Sequence, residues 1–134
     1  RLNDSMGDYV ASEIVKCMIK KDININRSNT LVLGITFKEN CPDVRNTKAV
    51  DVVNALKSYG TNITIFDPWA NNEEVMNEYG LDSTKELPKT KFDAIVLIVA
   101  HNEFKDLDFS VLKNKKSVIY DVKGVLSGNI DGRL

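Results

Sequence analysis

The sequence predicts an α/β fold in which a parallel sheet is covered by helices on both faces, and two observations predict it. Apolar, partly β-branched runs alternate with segments of helical period, and those runs are too uniformly apolar to be half exposed. Strands of that kind are joined by right-handed crossovers, which gives a Rossmann-like domain.

The elements follow in order. From Asn3 to about Asp22, Met6, Val10, Ile14, Val15, Met18 and Ile19 recur at helical spacing behind Asn3, Asp4 and Ser5, which are candidate caps. This long amphipathic helix reads as an appendage to the core domain, with a stripe of Met6, Val10, Ile14 and Met18 expected to face solvent and drive self-association. Polar Asn24 to Asn29 breaks the pattern, and Thr30 to Thr36 is the first buried strand. Phe37 to Asn46, with Pro42, is a loop; Ala49, Val52, Val53 and Leu56 then mark a helix closed by Gly60. Asn62 to Phe66 is a strand ended by Asp67-Pro68, and Glu73 to Tyr79 a short helix closed by Gly80. Phe92 to Ala100 is the strongest strand, Glu103 to Leu112 is helical or irregular, and Ser117 to Val122 is a further strand. Residues 1–27 are therefore set apart from a core domain of residues 28–134.

Composition narrows the function classes. The 134 residues are 43% hydrophobic, enough for one core, and 18 lysines and arginines against 19 acidic residues give no charge excess for nucleic acid. Cys17 and Cys41 match no zinc spacing and make too thin a disulfide framework, which points to a reducing cytoplasm. No apolar stretch reaches the roughly 18 residues of a membrane span. The sequence opens on Arg1 and runs straight into a helical pattern, so it reads as a fragment.

In open α/β sheets ligands bind beyond the carboxyl ends of the strands, so the loops after Thr36, Phe66, Ala100 and Val122 are where chemistry is expected. They hold Lys38 and Arg45, then Asp67, His101 and Lys123. Two cations seven residues apart, ahead of a helix N-terminus, suit phosphate oxygens, although ordinary loop charges look the same. Asp67 reads as a strand terminator or as a ribose-binding acid. His101 has no nucleophile beside it and reads as structural or helix-starting; Cys41 has no activating motif, and Cys17 is expected to pack. Only Gly34 stands where a dinucleotide fingerprint needs three glycines, so usual Rossmann binding of NAD is not expected.

The run from Leu33 to Lys48, Leu-Gly-Ile-Thr-Phe-Lys-Glu-Asn-Cys-Pro-Asp-Val-Arg-Asn-Thr-Lys, closely resembles the signature opening the last domain of the UDP-glucose/GDP-mannose dehydrogenase family. Gly34, Phe37, Lys38 and Arg45 carry the match; Asp67-Pro68, Val99-Ala100-His101 and Asp121-Val122-Lys123-Gly124 extend it, and Arg1 to Val10 resembles the last helix of the family's central domain. Phe-Lys-Glu-Asn-Cys-Pro-Asp with Asp67-Pro68-Trp69-Ala70 is most similar to the branch acting on UDP-N-acetylhexosamines for surface polysaccharides.

The resemblance implies a two-step, NAD-dependent oxidation of a UDP-sugar C6 alcohol to the carboxylate through a cysteine thioester. The cysteine and the glycine-rich NAD site would lie in preceding domains, since neither Cys17 nor Cys41 has the Gly-Gly-x-Cys context. It further implies that Phe37, Lys38 and Lys123 contact the UDP-sugar, that Arg45 reaches the NAD pyrophosphate, and that the complete enzyme is a homodimer or larger. Lys123 stands where many members carry arginine, which keeps the charge and loses the bidentate fork. Two other classes compete. A receiver-like regulatory domain would need an acidic pair after its first strand, where this sequence runs into Phe37-Lys38; a free-standing, non-catalytic nucleotide-binding module would need no upstream motifs.

Overall fold

The computed structural model describes residues 2–134, with side chains from Met6 onward. Ten elements run in the order α1 (Leu2–Lys20), β1 (Asn29–Leu33), α2 (Ala49–Ser58), β2 (Asn62–Phe66), α3 (Asn72–Tyr79), β3 (Phe92–Leu97), α4 (Asn102–Lys105), a 3₁₀ turn (Phe109–Val111), β4 (Lys113–Asp121) and β5 (Gly132–Arg133). All five strands are parallel, in the order β2-β1-β3-β4-β5. The chain winds outward from β1 in both directions, so the order reverses between β1 and β3, and a crevice opens at their carboxyl ends.

The alternation of side chains along each strand divides the core in two. Val32, Ile65, Ala94, Val96, Val118 and Tyr120 face a layer made by α1, α2 and α3, whereas Leu31, Leu33, Ile95, Leu97 and Ile119 face Phe104, Leu112 and Leu126 on the other side. One face carries the long helices; the other carries only the short α4, the 3₁₀ turn and the loop after β4. Both faces are covered, which is why β1 and β3 read as continuous apolar runs instead of alternating ones.

The helix stops follow local chemistry. Asn71 caps α3, its side-chain oxygen accepting from the Glu74 N–H at 3.0 Å, and Gly80 ends the helix at φ 67. The α1 helix begins at Leu2, ahead of Asn3, Asp4 and Ser5, whose side chains lie outside the described residues.

Four features differ from expectation. β1 stops at Leu33, three residues early, because Gly34 turns the chain at φ +100; β3 likewise stops at Leu97. β4 begins at Lys113, before the apolar run, across an irregularity between Phe92 and Ala94 in the facing strand. β5 pairs only Gly132 with Tyr120 and Arg133 with Asp121, too short to leave a periodic signal.

The fourth difference is the largest. Val10, Ile14 and Met18, expected on an open stripe, are at most 1% exposed, and only Met6, at 38%, faces outward. α1 crosses α2 where Gly7 lies: a Cβ there would stand 2.7 Å from the Asp51 backbone, so the two helices meet main chain to main chain. At the far end Lys21 bonds Asp131 at 2.8 Å and the Ser117 carbonyl at 2.7 Å. The helix is part of the core, and its stripe offers no surface for self-association.

Candidate functional site

A cleft of about 250 Å³ opens at the reversal in strand order. Its floor is the carboxyl end of β3, with Ile98 and Val99; one side is the loop after β1, Thr36 to Glu39, and another the loop after β4, Val122 and Lys123. The start of α2, at Lys48 and Ala49, and the α1 residues Met6, Gly7 and Val10 close it. Lys123, far along the sequence, is thus brought beside the adjacent pair Phe37 and Lys38. Lys38, Lys48 and Lys123 face a single side-chain carboxylate in this lining, that of Glu39. In a chain of net charge −1 this is a local concentration of positive charge. Phe37 is 55% exposed, an aromatic face left uncovered at the rim.

The loop that carries Phe37 and Lys38 is held from below. Phe37 N–H donates to the Asp43 carbonyl at 2.7 Å, closing the loop on itself. The Thr36 hydroxyl donates to the Lys38 carbonyl at 3.0 Å, and the Thr47 hydroxyl donates to the Thr36 carbonyl at 3.2 Å. Asn40 and Asn46 sit at φ 54 and 58, the left-handed region in which asparagine is among the better-tolerated residues. Asp121 organises the loop after β4. Its Oδ1 accepts from Lys123 and Gly124 N–H at 3.1 and 2.8 Å, and its Oδ2 from Leu126 N–H at 2.7 Å, so the Lys123 backbone is fixed by a buried carboxylate.

Arg45 is not in the cleft. It lies on the far side of its loop near Glu74 and Glu78, its side chain 75% exposed. Nε bonds Asp43 Oδ1 at 3.1 Å and an Nη bonds Oδ2 at 3.3 Å, and this guanidinium holds the Asp43 carboxyl below its usual range. Asp43 occupies one edge of the guanidinium, and the remaining donors of the exposed side chain are available to a phosphate oxygen.

Asp67 ends β2, as the terminator reading has it, and its full burial leaves no face for a ribose. Oδ2 accepts from Ile35 N–H at 2.7 Å, Thr36 N–H at 3.2 Å and His101 Nε2 at 3.0 Å, while Oδ1 accepts from Trp69 and Ala70 N–H at 2.8 and 3.1 Å. Burial alone would raise its pKa; the hydrogen bonds from His101 and the backbone outweigh it, and the carboxyl is held below the usual aspartate range. His101 is also fully buried, stacked beneath Trp69 with ring centroids 6.0 Å apart, and precedes α4 as expected for a helix start. Sequence reasoning placed both residues at strand ends but had no signal for their contact, 34 positions apart. It also missed Thr36, Thr47 and Lys48 as cleft residues.

Cys17 packs as expected, half-buried beside Gly132, with burial pushing its thiol up. Gly34, the glycine after β1, faces Val99 so closely that a Cβ would stand 2.5 Å from the valine Cβ, so it serves packing and not pyrophosphate approach.

A parallel sheet wound outward from β1, with a cationic cleft at the reversal, is the layout of α/β domains whose ligands lie at the strand ends. Residues 31–128 match the UDP-binding domain of the UDP-glucose/GDP-mannose dehydrogenase family, and the chain belongs to that family. It is 48% identical to a UDP-N-acetyl-D-glucosamine 6-dehydrogenase of Salmonella typhi, aligned over 94% of this chain and 30% of that protein. It is 44% identical to a Pseudomonas aeruginosa protein of the same description, over 94% and 31%. Among solved structures, an NDP-N-acetyl-D-galactosaminuronic acid dehydrogenase of Methanosarcina mazei superposes with a TM-score of 0.81 at 22% identity, covering 92% of this chain and 26% of that one. The chain thus spans about a third of the length of these curated relatives. No helix among the described residues is long and apolar enough to cross a membrane.

Proposed function

We propose that the cleft binds the UDP moiety of a nucleotide sugar, and that residues 28–134 serve as the substrate-binding domain of an NAD-dependent UDP-sugar 6-dehydrogenase. The substrate is a UDP-hexose or, in line with the Salmonella typhi and Pseudomonas aeruginosa relatives, a UDP-N-acetylhexosamine, oxidised at C6 for surface polysaccharide synthesis. The observation that carries the reading is the meeting of Phe37, Lys38 and Lys123 in one cleft with Lys48 at the start of α2. Diphosphate oxygens are stabilised by the lysines gathered beside the start of α2, and the exposed Phe37 ring offers an apolar face to the base. The cleft is smaller than the roughly 300–1,000 Å³ usual for a whole ligand, which suits a site completed by other domains. Residues 1–27 belong, on this reading, to the end of a central helical domain, and the complete enzyme assembles as a homodimer or larger.

UDP binding by this chain, followed by calorimetry, tests the reading. Removing a charged hydrogen-bond partner costs about 1.5–3 kcal/mol, so Lys38→Ala should weaken UDP roughly ten- to more than a hundredfold. Unchanged affinity would remove Lys38 from the site.

Arg45 is assigned to the other ligand. Its outward fork, on the opposite side of the loop from Lys38, suits a pyrophosphate presented from another domain. In the complete enzyme Arg45→Ala should weaken NAD by a similar roughly ten- to hundredfold factor and leave UDP-sugar affinity within about twofold. Arg45→Lys should rescue only in part, since a point charge replaces a fork. Equal loss of both ligands in Arg45→Ala would show that the loop acts as one unit. The chain by itself should produce no NADH from UDP-sugars, because it carries neither the cysteine motif nor a dinucleotide cradle; any steady production by the purified chain would overturn the division of labour.

A further inference from the structure

The loop that presents Lys38 is fastened to a buried imidazole. His101 Nδ1 accepts the Asn40 backbone N–H at 2.9 Å, and Asn40 returns the contact, its side-chain oxygen accepting from Asn102 N–H at 3.0 Å. These two bonds clip the loop after β1 to the loop after β3. Asn40 holds a left-handed φ of 54, a conformation that costs free energy and persists only where its surroundings impose it.

A neutral imidazole has one donor and one acceptor nitrogen, and which is which depends on the partners. Asn40 N–H can only donate, so Nδ1 must present its lone pair and the ring proton sits on Nε2. That proton points at two acceptors, Asp67 Oδ2 at 3.0 Å and Thr36 Oγ1 at 3.1 Å. With its acceptor side so occupied, the Thr36 hydroxyl turns its own hydrogen to the Lys38 carbonyl at 3.0 Å. Asp67 is itself anchored by four backbone N–H groups from the ends of β1 and β2. The carboxylate therefore fixes the tautomer, and the tautomer fixes the loop at Lys38 and at Asn40.

We propose that His101, oriented by Asp67, is a positioning residue for nucleotide binding: it touches no ligand and sets the conformation of the loop from Phe37 to Asn40, through which Lys38 reaches the cleft. This rests on the reading of the cleft as a UDP site.

Two substitutions separate the two nitrogens. In His101→Asn the side-chain oxygen falls near the position of Nδ1, so the Asn40 bond is kept and the Asp67 bond lost. In His101→Gln the terminal amide reaches the position of Nε2, so the Asp67 bond is kept and the Asn40 bond lost. UDP titration of the parent chain and both variants, with thermal unfolding and Asn40 amide exchange measured on the same samples, tests the proposal. His101→Gln should bind UDP roughly three- to tenfold more weakly and exchange the Asn40 amide faster, while His101→Asn, which keeps the Asn40 bond, should lose less affinity than His101→Gln and hold Asn40 exchange within about twofold of the parent. A role confined to stability would instead make affinity follow the unfolding temperature, whichever bond is kept. Nitrogen NMR of the parent ring should show a protonated Nε2 and an unprotonated Nδ1. The proposal is overturned by the opposite tautomer, by parental affinity in His101→Gln, or by equal losses in both variants. If the parent chain takes up no UDP, the nucleotide reading falls instead, and Asn40 exchange in the two variants decides the positioning claim alone.

Discussion

Asp67→Ala should be the most destabilising single substitution in the chain. The substitution strips the acceptor from the N–H groups of Ile35, Thr36, Trp69 and Ala70 and from His101 Nε2, all at a site closed to water. Breaking a buried charged network from one side typically costs about 3–5 kcal/mol, against a total stability of about 5–15 kcal/mol for a domain. At about 2–8 °C per kcal/mol the unfolding midpoint should fall by roughly 10–20 °C or more. Asp67→Asn should be only slightly better, because its amide nitrogen turns a donor toward backbone donors. The same carboxylate gives the parent a pH signature. Its folded pKa is depressed, so its contribution is fully present above the ordinary aspartate value of about 3.9 and is lost as pH falls through the folded value. Below about pH 4 the parent's stability should decline more steeply than that of either variant, which keep only the acid response of other carboxylates such as Asp43. A denaturant series from pH 2 to 7 measures this, and parallel curves would remove Asp67 from the acid response.

Gly34→Ala should be the second most damaging change. At φ +100 a side chain is strained by roughly 1–3 kcal/mol wherever it points. Here it also points at Val99, whose Cβ and main-chain nitrogen would stand 2.5 and 2.9 Å from the new methyl. Overpacking of that kind adds roughly 1–3 kcal/mol, so a total loss of about 2–6 kcal/mol is expected. Because the contact is with the Val99 Cβ and backbone, trimming the neighbour should not help: Gly34→Ala with Val99→Ala should be no more stable than Gly34→Ala alone. Urea midpoints of the three variants decide it, and a full rescue by Val99→Ala would mean that only the outer methyls collide.

The alternation of strand and helix was legible because covered parallel strands must be apolar throughout, and β2, bounded by polar Asn62 and by Asp67-Pro68, matches its expected limits residue for residue. What sequence could not supply was a partner. The stripe on α1 was visible, yet periodicity says that a face is apolar and not what covers it; here α2 and the sheet do. The candidate site divides the same way. Strand ends singled out Lys38, Lys123, Asp67 and His101, but the bond between Asp67 and His101 is a long-range contact without a local pattern. Seven positions along a loop likewise do not say which side of it a residue takes, and Arg45 turned away from Lys38. β5 lies below the length at which any period can be read.

The crossing at Gly7 has a mechanical meaning. With main chain against main chain at one end of α1, and Lys21 tied to Asp131 and Ser117 at the other, residues 21–28 cannot serve as a hinge. A swing there would have to peel Val10, Ile14 and Met18 out of a packed interior. Helix α1, and the side of the cleft formed by Met6, Gly7 and Val10, is thus tied to α2 and the sheet as one packed unit.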